Sequence, residues 1–406
     1  MSFVRKNLRP ILSLLLCLSI LTGCCAAAAE ALLPTVSITG KSLTGWKDKK
    51  DVRDAVLTYE NPVTGETFTR SITIKPQGTS SLSYDKKNFT IVLQEEGAEM
   101  QPGWGVQTEY CLKANYIDPT HASNVVSARL VAQMNSLVGL FEDLPNRGAV
   151  DGFPVWVTLN DQDAGLYTWN IPKAAWMFGM DEENPDHIVL CCEGWSQGAS
   201  LRADTFEVDT DWSLEIGPDT PEMWAKFQRL VDFVVNADDE TFVRDFDQYL
   251  NLDACLDYIC FICVAFAMDN EAKNMLMATW DGEVWYPMLY DLDALWGFDW
   301  DGKTTIDLAR ITDLEYGCNG LLKRIWHQFR PQLEERYALL RGSVLSEENI
   351  WKEFDSFAAG IPAEAFAWDQ QRWNPKGERI RTYEGMKEQM AAYLPLIDAI
   401  MGYSAE

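Results

Sequence analysis

Four residues in the middle of the chain could do chemistry together: Asp269 and Asn274, five residues apart, and the pair Asp291 and Asp293 some twenty residues on. Carboxylate and amide oxygens suit a hard divalent cation such as Mg²⁺, which keeps waters and phosphate oxygens in its shell. An Asp, an Asn five residues later and a further Asp after a hairpin can set one catalytic carboxylate and two metal ligands around nucleotide phosphates. The other reading is a structural loop, because Asp and Asn are common in turns and D-x-x-x-x-N is a loose pattern in an acidic chain.

The elements around these residues favour a site. The run Ala254-Cys-Leu-Asp-Tyr-Ile-Cys-Phe-Ile-Cys-Val-Ala-Phe-Ala-Met268 reads as a buried helix that delivers Asp269 at its end. A carboxylate emerging from buried scaffold is costly unless it is paired or metal-bound. Between Asn274 and Asp291, apolar residues flank Asp281-Gly282, which predicts a hairpin closed by a tight two-residue turn. Such a hairpin would bring the two acidic groups together.

A second candidate region lies upstream. Gln77-Gly78-Thr79-Ser80-Ser81 is a small, hydroxyl-rich turn, and Lys86 and Lys87 open the predicted strand Lys86 to Leu93. Backbone N–H groups, hydroxyls and one ammonium can converge there on a phosphate; an ordinary hairpin is the alternative. Period-two alternation puts the two lysines on opposite faces, so only one can serve a ligand. The shared parity of Lys87 with Phe89, Ile91 and Leu93 favours Lys87 as that ligand, leaving Lys86 as a solvated charge.

These segments resemble the CotH kinase family, spore-coat protein kinases with an atypical protein-kinase-like fold. The resemblance rests on Asp269 to Asn274, a short hairpin and Leu289-Tyr290-Asp291-Leu292-Asp293 before Gly297, where Leu289 and Tyr290 replace Pro and Trp. It extends to the glycine-serine turn, with Gln77 in place of the commoner Arg, and to the Lys-Lys strand. Asp118, Asn124 and Arg129 match the helix that follows, Val155 to Tyr167 matches a strand-N-G-strand-G-L-Y hairpin, and the tail from Ala338 to Met401 matches the terminal helices.

The resemblance implies an α+β, bilobal protein-kinase-like fold, β-rich from about 34 to 170 and mainly helical from about 171 to 403. It implies Asp269 as catalytic base, Asp291 as principal metal ligand, Asp293 and Asn274 as further ligands, and ATP with Mg²⁺ (or Mn²⁺) held with the help of Gln77, Gly78, Ser80, Ser81, Lys86 and Lys87. The implied activity is transfer of the γ-phosphate of ATP to protein hydroxyls, on a spore-coat or cell-surface protein substrate. No Glu stands at an obvious position to pair with the lysine.

Composition bounds these readings. The chain has 406 residues, 47% hydrophobic and 12% aromatic, ample for a large core. A net charge of -27 and the lack of a basic stripe argue against nucleic-acid binding. Arg5, Lys6 and Arg9, an apolar run from Ile11 to Leu21, and Leu21-Thr22-Gly23-Cys24 resemble a lipoprotein signal. The expectation is a signal peptide over 1–23, lipid on Cys24, a short tether over 24–33 and one kinase-like domain over 34–403, placing the protein outside the cytoplasm on a membrane. An ordinary secretory signal cleaved near Ala26 to Ala29 is the alternative.

Apart from Cys17, Cys24 and Cys25, seven cysteines remain, an odd and scattered set that resembles no disulfide framework. Cys255, Cys260 and Cys263 fall in the buried helix and read as core. Three rival functions come from other features. Gly194-Trp195-Ser196-Gln197-Gly198 has the nucleophile-elbow pattern, with Asp291 and His327 following in hydrolase order, although the Thr- and Asp-rich stretch after it has no helical period. Sixteen Trp and many carboxylates suggest a carbohydrate-acting enzyme. A structural surface or coat protein could keep the fold without activity.

Overall fold

A computed structural model describes residues 32–78, 80–313 and 319–404. Cys24 and the whole signal and lipobox reading lie outside the described residues, as do Thr79, Gly317 and Cys318. Among the described residues, no helix is long and apolar enough to cross a membrane.

Seven strands close a barrel in the order β1-β2-β3-β4-β5-β7-β6. They are β1 (Thr35–Gly40), β2 (Arg53–Glu60), β3 (Thr67–Gln77), β4 (Asn88–Leu93), β5 (Glu109–Lys113), β6 (Gly152–Leu159) and β7 (Gln162–Asn170). Alternation builds the interior: Val36 and Ile38, Leu57 and Tyr59, Ile72 and Ile74, Phe89 and Ile91, and Val155 and Val157 are buried while their neighbours are more exposed. Tyr110 and Tyr59 pack on Trp169 with ring centroids 5.2 and 6.0 Å away. Local pairs are antiparallel, and closure comes from β1 lying parallel to β6, with Thr35 opposite Trp156.

The turns that join these strands are readable from sequence. The loop Asn61 to Gly65 connects β2 and β3, closed by Gly65 N–H donating to the Asn61 carbonyl at 2.8 Å. Asn160 and Asp161, both at positive φ (49° and 59°), form the two-residue link of the β6–β7 hairpin, the conformation that Asn and Asp tolerate best.

The expected division into a β-rich first half and a mainly helical second half does not hold. The barrel is closed, and the second half carries a four-stranded sheet of its own in the order β11-β10-β8-β9, formed by β8 (Ile188–Cys192), β9 (Trp212–Ile216), β10 (Met275–Thr279) and β11 (Tyr286–Leu289). Every residue of β8 and β10 is buried, as continuous apolar strands with both faces covered must be. Such short runs give no alternation to separate them from buried helix, so the bilobal reading missed the sheet.

Nine helices stand among the described residues: α1 (Ser123–Leu137), α2 (Pro221–Asn236), α3 (Asp239–Asp245), α4 (Leu252–Ala265), α5 (Gly320–Gln328), α6 (Arg330–Arg341), α7 (Glu347–Ala359), α8 (Ala363–Trp373) and α9 (Tyr383–Ile400). Thr220 caps α2 by accepting from Met223 N–H at 3.2 Å, with Pro221 at the first helical position as its sequence implies. Helix α4 is the expected buried helix, and it stops at Phe266 in a left-handed conformation (φ 51°). Cys255, Cys260 and Cys263 are core residues on it.

Candidate functional site

The acidic centre is assembled by five hydrogen-bonded ties. Beyond α4, Asp269 sits in a single 3₁₀ turn, Met268–Glu271. Tyr258 of α4 donates its hydroxyl to the Asn270 carbonyl at 2.6 Å, and the Asn270 side-chain amide donates to the Tyr290 carbonyl at 2.9 Å. The turn bearing Asp269 is thereby pinned to the residue that precedes Asp291.

The loop carrying Asp291 and Asp293 is fixed from the other side. Leu292 N–H donates to Asn124 Oδ1 at 3.2 Å in the first turn of α1, Trp296 N–H donates to the Ala265 carbonyl at 2.7 Å, and the Trp296 indole N–H donates to Ser127 Oγ at 2.9 Å. Asp291 is held at φ 54°, a left-handed conformation that a non-glycine residue keeps only when its surroundings impose it. Gly297 (φ 85°) closes the loop where a Cβ would come within 2.3 Å of Gln389.

The hairpin between the acidic groups exists, with β10 antiparallel to β11, but its loop is longer than two residues. Ala278 pairs with Tyr286, and Asp281 Oδ1 organises the intervening loop by accepting from Glu283 and Val284 N–H at 2.8 and 2.9 Å.

Asp291 and Asp293 line a cleft against the barrel, together with Ser81, Lys113, Asp118 and Asn124. Burial, then the charge of Asp291, pushes the Asp293 carboxyl well above the usual range, with Asp269 adding in the same direction. Asp269 is also raised, first by burial and then by Asp299 and Asp291, against the opposing charge of Lys273. Asp293 and Asp269, both raised in part by neighbouring carboxylates, belong to a site that a divalent cation would stabilise. The donors on offer, Asp291, Asp293 and the Asn124 amide oxygen, are all hard oxygens, so the residues fit Mg²⁺.

Two expected members stand apart from this cleft. Asn274 turns the chain into β10 at φ 65°, with its N–H donating to the Cys192 carbonyl at 3.0 Å, and it is not among the residues lining the cleft. Asp269 is likewise not a lining residue, but its charge helps raise Asp293 and the charge of Asp291 helps raise it.

Of the turn Gln77, Gly78, Ser80 and Ser81, it is Ser81 that lines the cleft. Gly78 adopts φ 100°, and an added Cβ would lie 2.0 Å from Ser81 Oγ, so glycine is required there for Ser81 to donate to the Gln77 carbonyl at 2.9 Å.

The lysines depart from expectation. Strand β4 begins at Asn88, so Lys86 and Lys87 precede it and strand alternation does not govern them. Lys86 is 2% exposed, not a solvated charge: its ammonium donates to Asp369 Oδ1 at 2.7 Å and to the Leu166 carbonyl. Lys87 donates to the Tyr84 carbonyl. Lys113, at the end of β5, lines the acidic cleft and has no ion pair among the described residues. A single charged residue closing the buried stretch Tyr110-Cys111-Leu112 was its signal in the sequence.

Helix α1 begins at Ser123, and Asp118 organises the turn before it, accepting from Thr120 N–H at 3.0 Å and Ser123 N–H at 2.9 Å. Burial opposes its charge, but Arg381 and these bonds hold its carboxyl below the usual range. Arg381 itself has a fully buried side chain 3.9 Å from Asp118.

Among the described residues the hydrolase arrangement is absent. Ser196 donates to Asp211 Oδ1 at 2.5 Å and accepts from Ala199 N–H at 3.0 Å, so its hydroxyl organises a loop and has no histidine partner among the described residues. Trp169, Trp212, Trp285 and Trp296 are fully buried and serve the core, not a sugar-stacking surface.

No curated protein matches the chain. A family model described as CotH kinase protein matches residues 74–395, a span that contains the glycine-serine turn, the cleft and Asp369. That match covers most of the sequence, and the chain belongs to the CotH kinase family.

Proposed function

We propose that this protein is an ATP- and Mg²⁺-dependent protein kinase, held outside the cytoplasm by a lipid on Cys24, that transfers the γ-phosphate to hydroxyls of a surface or coat protein. The observation that carries the reading is the convergence of Asp291 and Asp293 with Lys113 and Ser81 on one cleft, in a chain whose family is one of kinase-like proteins.

In this reading Asp291 and Asp293, helped by the Asn124 amide oxygen, would hold the metal, which would supply positive charge to neutralise the phosphates. Ser81 and Lys113 face the phosphates from the barrel side. Lys86 is committed to Asp369, so its part is to fix the barrel wall to α8 and not to reach the nucleotide. Asp269, made more basic by burial and by neighbouring carboxylates, accepts the proton of the acceptor hydroxyl. Catalysis is then mostly positioning and charge compensation.

The engagement of both Lys86 and Lys87 away from the cleft supports a second reading, a coat or surface protein of this family without transfer activity. Calorimetry of the full chain with ATP, with and without Mg²⁺, separates the two, followed by transfer of labelled γ-phosphate to a casein-type acceptor. Saturable Mg²⁺-dependent ATP binding with transfer is expected; no nucleotide binding at any Mg²⁺ concentration would reject the kinase reading.

A further inference from the structure

Asp291 keeps its left-handed φ of 54° only because the residues on both sides of it are held. Downstream, Leu292 N–H is bound to Asn124 Oδ1. Upstream stands Tyr290, which has already left the sheet, the last rung of β10 and β11 being Met275 with Leu289. The Tyr290 carbonyl accepts from the Asn270 amide, and one hydrogen bond does not fix the orientation of a residue.

The second hold on Tyr290 comes from Lys173. The Lys173 ammonium lies 4.8 Å from the centre of the Tyr290 ring and 2.6 Å from Glu215 Oε1, in an ion pair whose side chains are 16% and 22% exposed. A cation over a ring, shielded from water, attracts it with an energy of the same order as the cost of one left-handed residue. Lys173 follows the end of β7 at Asn170, where Ile171 N–H donates to the Asp151 carbonyl at 3.0 Å and fixes the exit of the chain from the barrel. Glu215 belongs to β9 of the second sheet. One ammonium therefore joins the barrel, the second sheet and the residue that precedes Asp291. Lys173 does not line the cleft, so its effect on the acids passes through Tyr290.

We propose that Lys173 is a positioning residue of the acidic centre: by holding the Tyr290 ring it sets the peptide between Tyr290 and Asp291, and with it the relation of Asp291 to Asp269 and to Lys113 and Ser81 on the barrel. Glu215 anchors the ammonium, and the contact with the ring is what orders the site. That the acids bind a metal rests on the kinase reading; that Lys173 orders them does not.

Hydrogen exchange of the metal-free full chain in mild detergent, followed by mass spectrometry, reads the positioning directly. In Lys173→Met, peptides covering 268–274 and 290–297 should exchange at least fivefold faster while β1 to β4 keep their rates. Lys173→Arg, which keeps a cation over the ring, should restore the slow exchange. Glu215→Gln removes the opposite charge but leaves the ammonium an acceptor, so both segments should stay within about twofold of the unaltered chain. Mn²⁺ titrated into the same proteins should bind about tenfold more weakly to Lys173→Met and not to the other two variants. Unchanged exchange in Lys173→Met, equal acceleration in Lys173→Met and Glu215→Gln, or undiminished Mn²⁺ affinity of Lys173→Met where the unaltered chain binds the ion would overturn the proposal. If Lys173→Met does not fold, Tyr290→Leu takes its place, since it removes the ring and spares the ion pair; unchanged exchange over 290–297 in that chain would overturn the proposal as well. An unaltered chain that takes up no Mn²⁺ would reject the metal reading and leave the exchange rates to decide on Lys173, so the two failures are told apart.

Discussion

Lys86 and Asp369 form an ion pair of 2.7 Å between positions 283 residues apart, with side chains 1% and 4% exposed. The pair is possible because Gly165 lets α8 come against β7: a Cβ there would sit 2.4 Å from Asp369 Oδ1. It joins the head of β4, the middle of β7 and the last part of the chain at one point. Burial opposes the charge on Asp369, yet Lys86 and His121 outweigh it and hold the carboxyl down at about 2.

Removing one partner should leave the other charge buried and unpaired. Asp369→Asn is expected to lower the stability of the fold by about 3 kcal/mol at neutral pH. The depressed carboxyl pKa fixes the sign of the pH dependence: its contribution is complete above the unfolded value of 3.8 and is lost as pH falls toward about 2. Urea unfolding at pH 7, 5, 4 and 3 should therefore show the gap between the two chains constant down to pH 5 and narrowing below 4. A gap that widened in acid would contradict the pairing.

What could be read from the sequence was local. Asn61 to Gly65 and Asn160-Asp161 announced their hairpins because positive-φ turn chemistry needs only neighbouring residues, and α4 was legible because its apolar run is long enough to exclude a strand. Barrel closure was not legible: the parallel pairing of Val36 with Val157 joins residues whose own patterns are satisfied by any sheet. The acidic residues were found by spacing, but Asn124 and Lys113 reach the cleft through the packing of α1 and the end of β5, which no spacing reports. Lys86 was misjudged because the lysines were read as the first residues of a strand that begins two residues later, at Asn88.

Asp291 and Asp269 should fail differently. A carboxylate on the metal is felt in the ground-state complex, whereas a base acting on the acceptor proton is felt mainly in turnover. Asp291→Asn is expected to abolish Mg²⁺-dependent ATP affinity. Asp269→Asn should bind ATP within about threefold of the unaltered chain but transfer phosphate at least a hundredfold more slowly, in line with the contribution of a general base. Normal transfer by both variants would remove the acidic centre from the reaction.

The lipid on Cys24 is a separate matter from the kinase chemistry. Mass spectrometry of the membrane fraction should find the mature chain beginning at Cys24 with a diacylglyceryl group on sulfur, and Cys24→Ala should release the protein from membranes. An unmodified N-terminus near Glu30 would show ordinary secretory cleavage instead.

Gly78 tests the turn beside the cleft. At φ 100° and with Ser81 Oγ 2.0 Å from the position of a Cβ, alanine must displace Ser81 and adopt a conformation that L residues rarely hold. Gly78→Ala is expected to cost about 1–3 kcal/mol locally. Because the turn is at the surface of the barrel, the melting temperature should fall by a few degrees while ATP affinity drops at least fivefold. Unchanged affinity in a folded Gly78→Ala protein would separate Ser81 from the nucleotide.

Three lysines compete for the role of phosphate ligand, and their partners decide among them. The Lys86 ammonium spends its donors on Asp369 and the Leu166 carbonyl, and Lys87 donates to the Tyr84 carbonyl. Lys113 ends β5 within the cleft that holds Asp291 and Asp293, and its charge lowers the otherwise raised pKa of Asp293. An ammonium without an ion pair, beside the acids that would carry the metal, is placed to meet the phosphate oxygens that the metal does not cover. Lys113→Met should therefore weaken Mg²⁺-ATP binding about tenfold or more with little loss of stability, since no buried pair is broken. Lys86→Met should do the reverse, lowering the melting temperature while folded protein retains most of its ATP affinity. Calorimetry and thermal unfolding of both variants give the answer: a loss of affinity confined to Lys86→Met would return the role to Lys86, and equal affinity in Lys113→Met and the unaltered chain would take the end of β5 out of the nucleotide site.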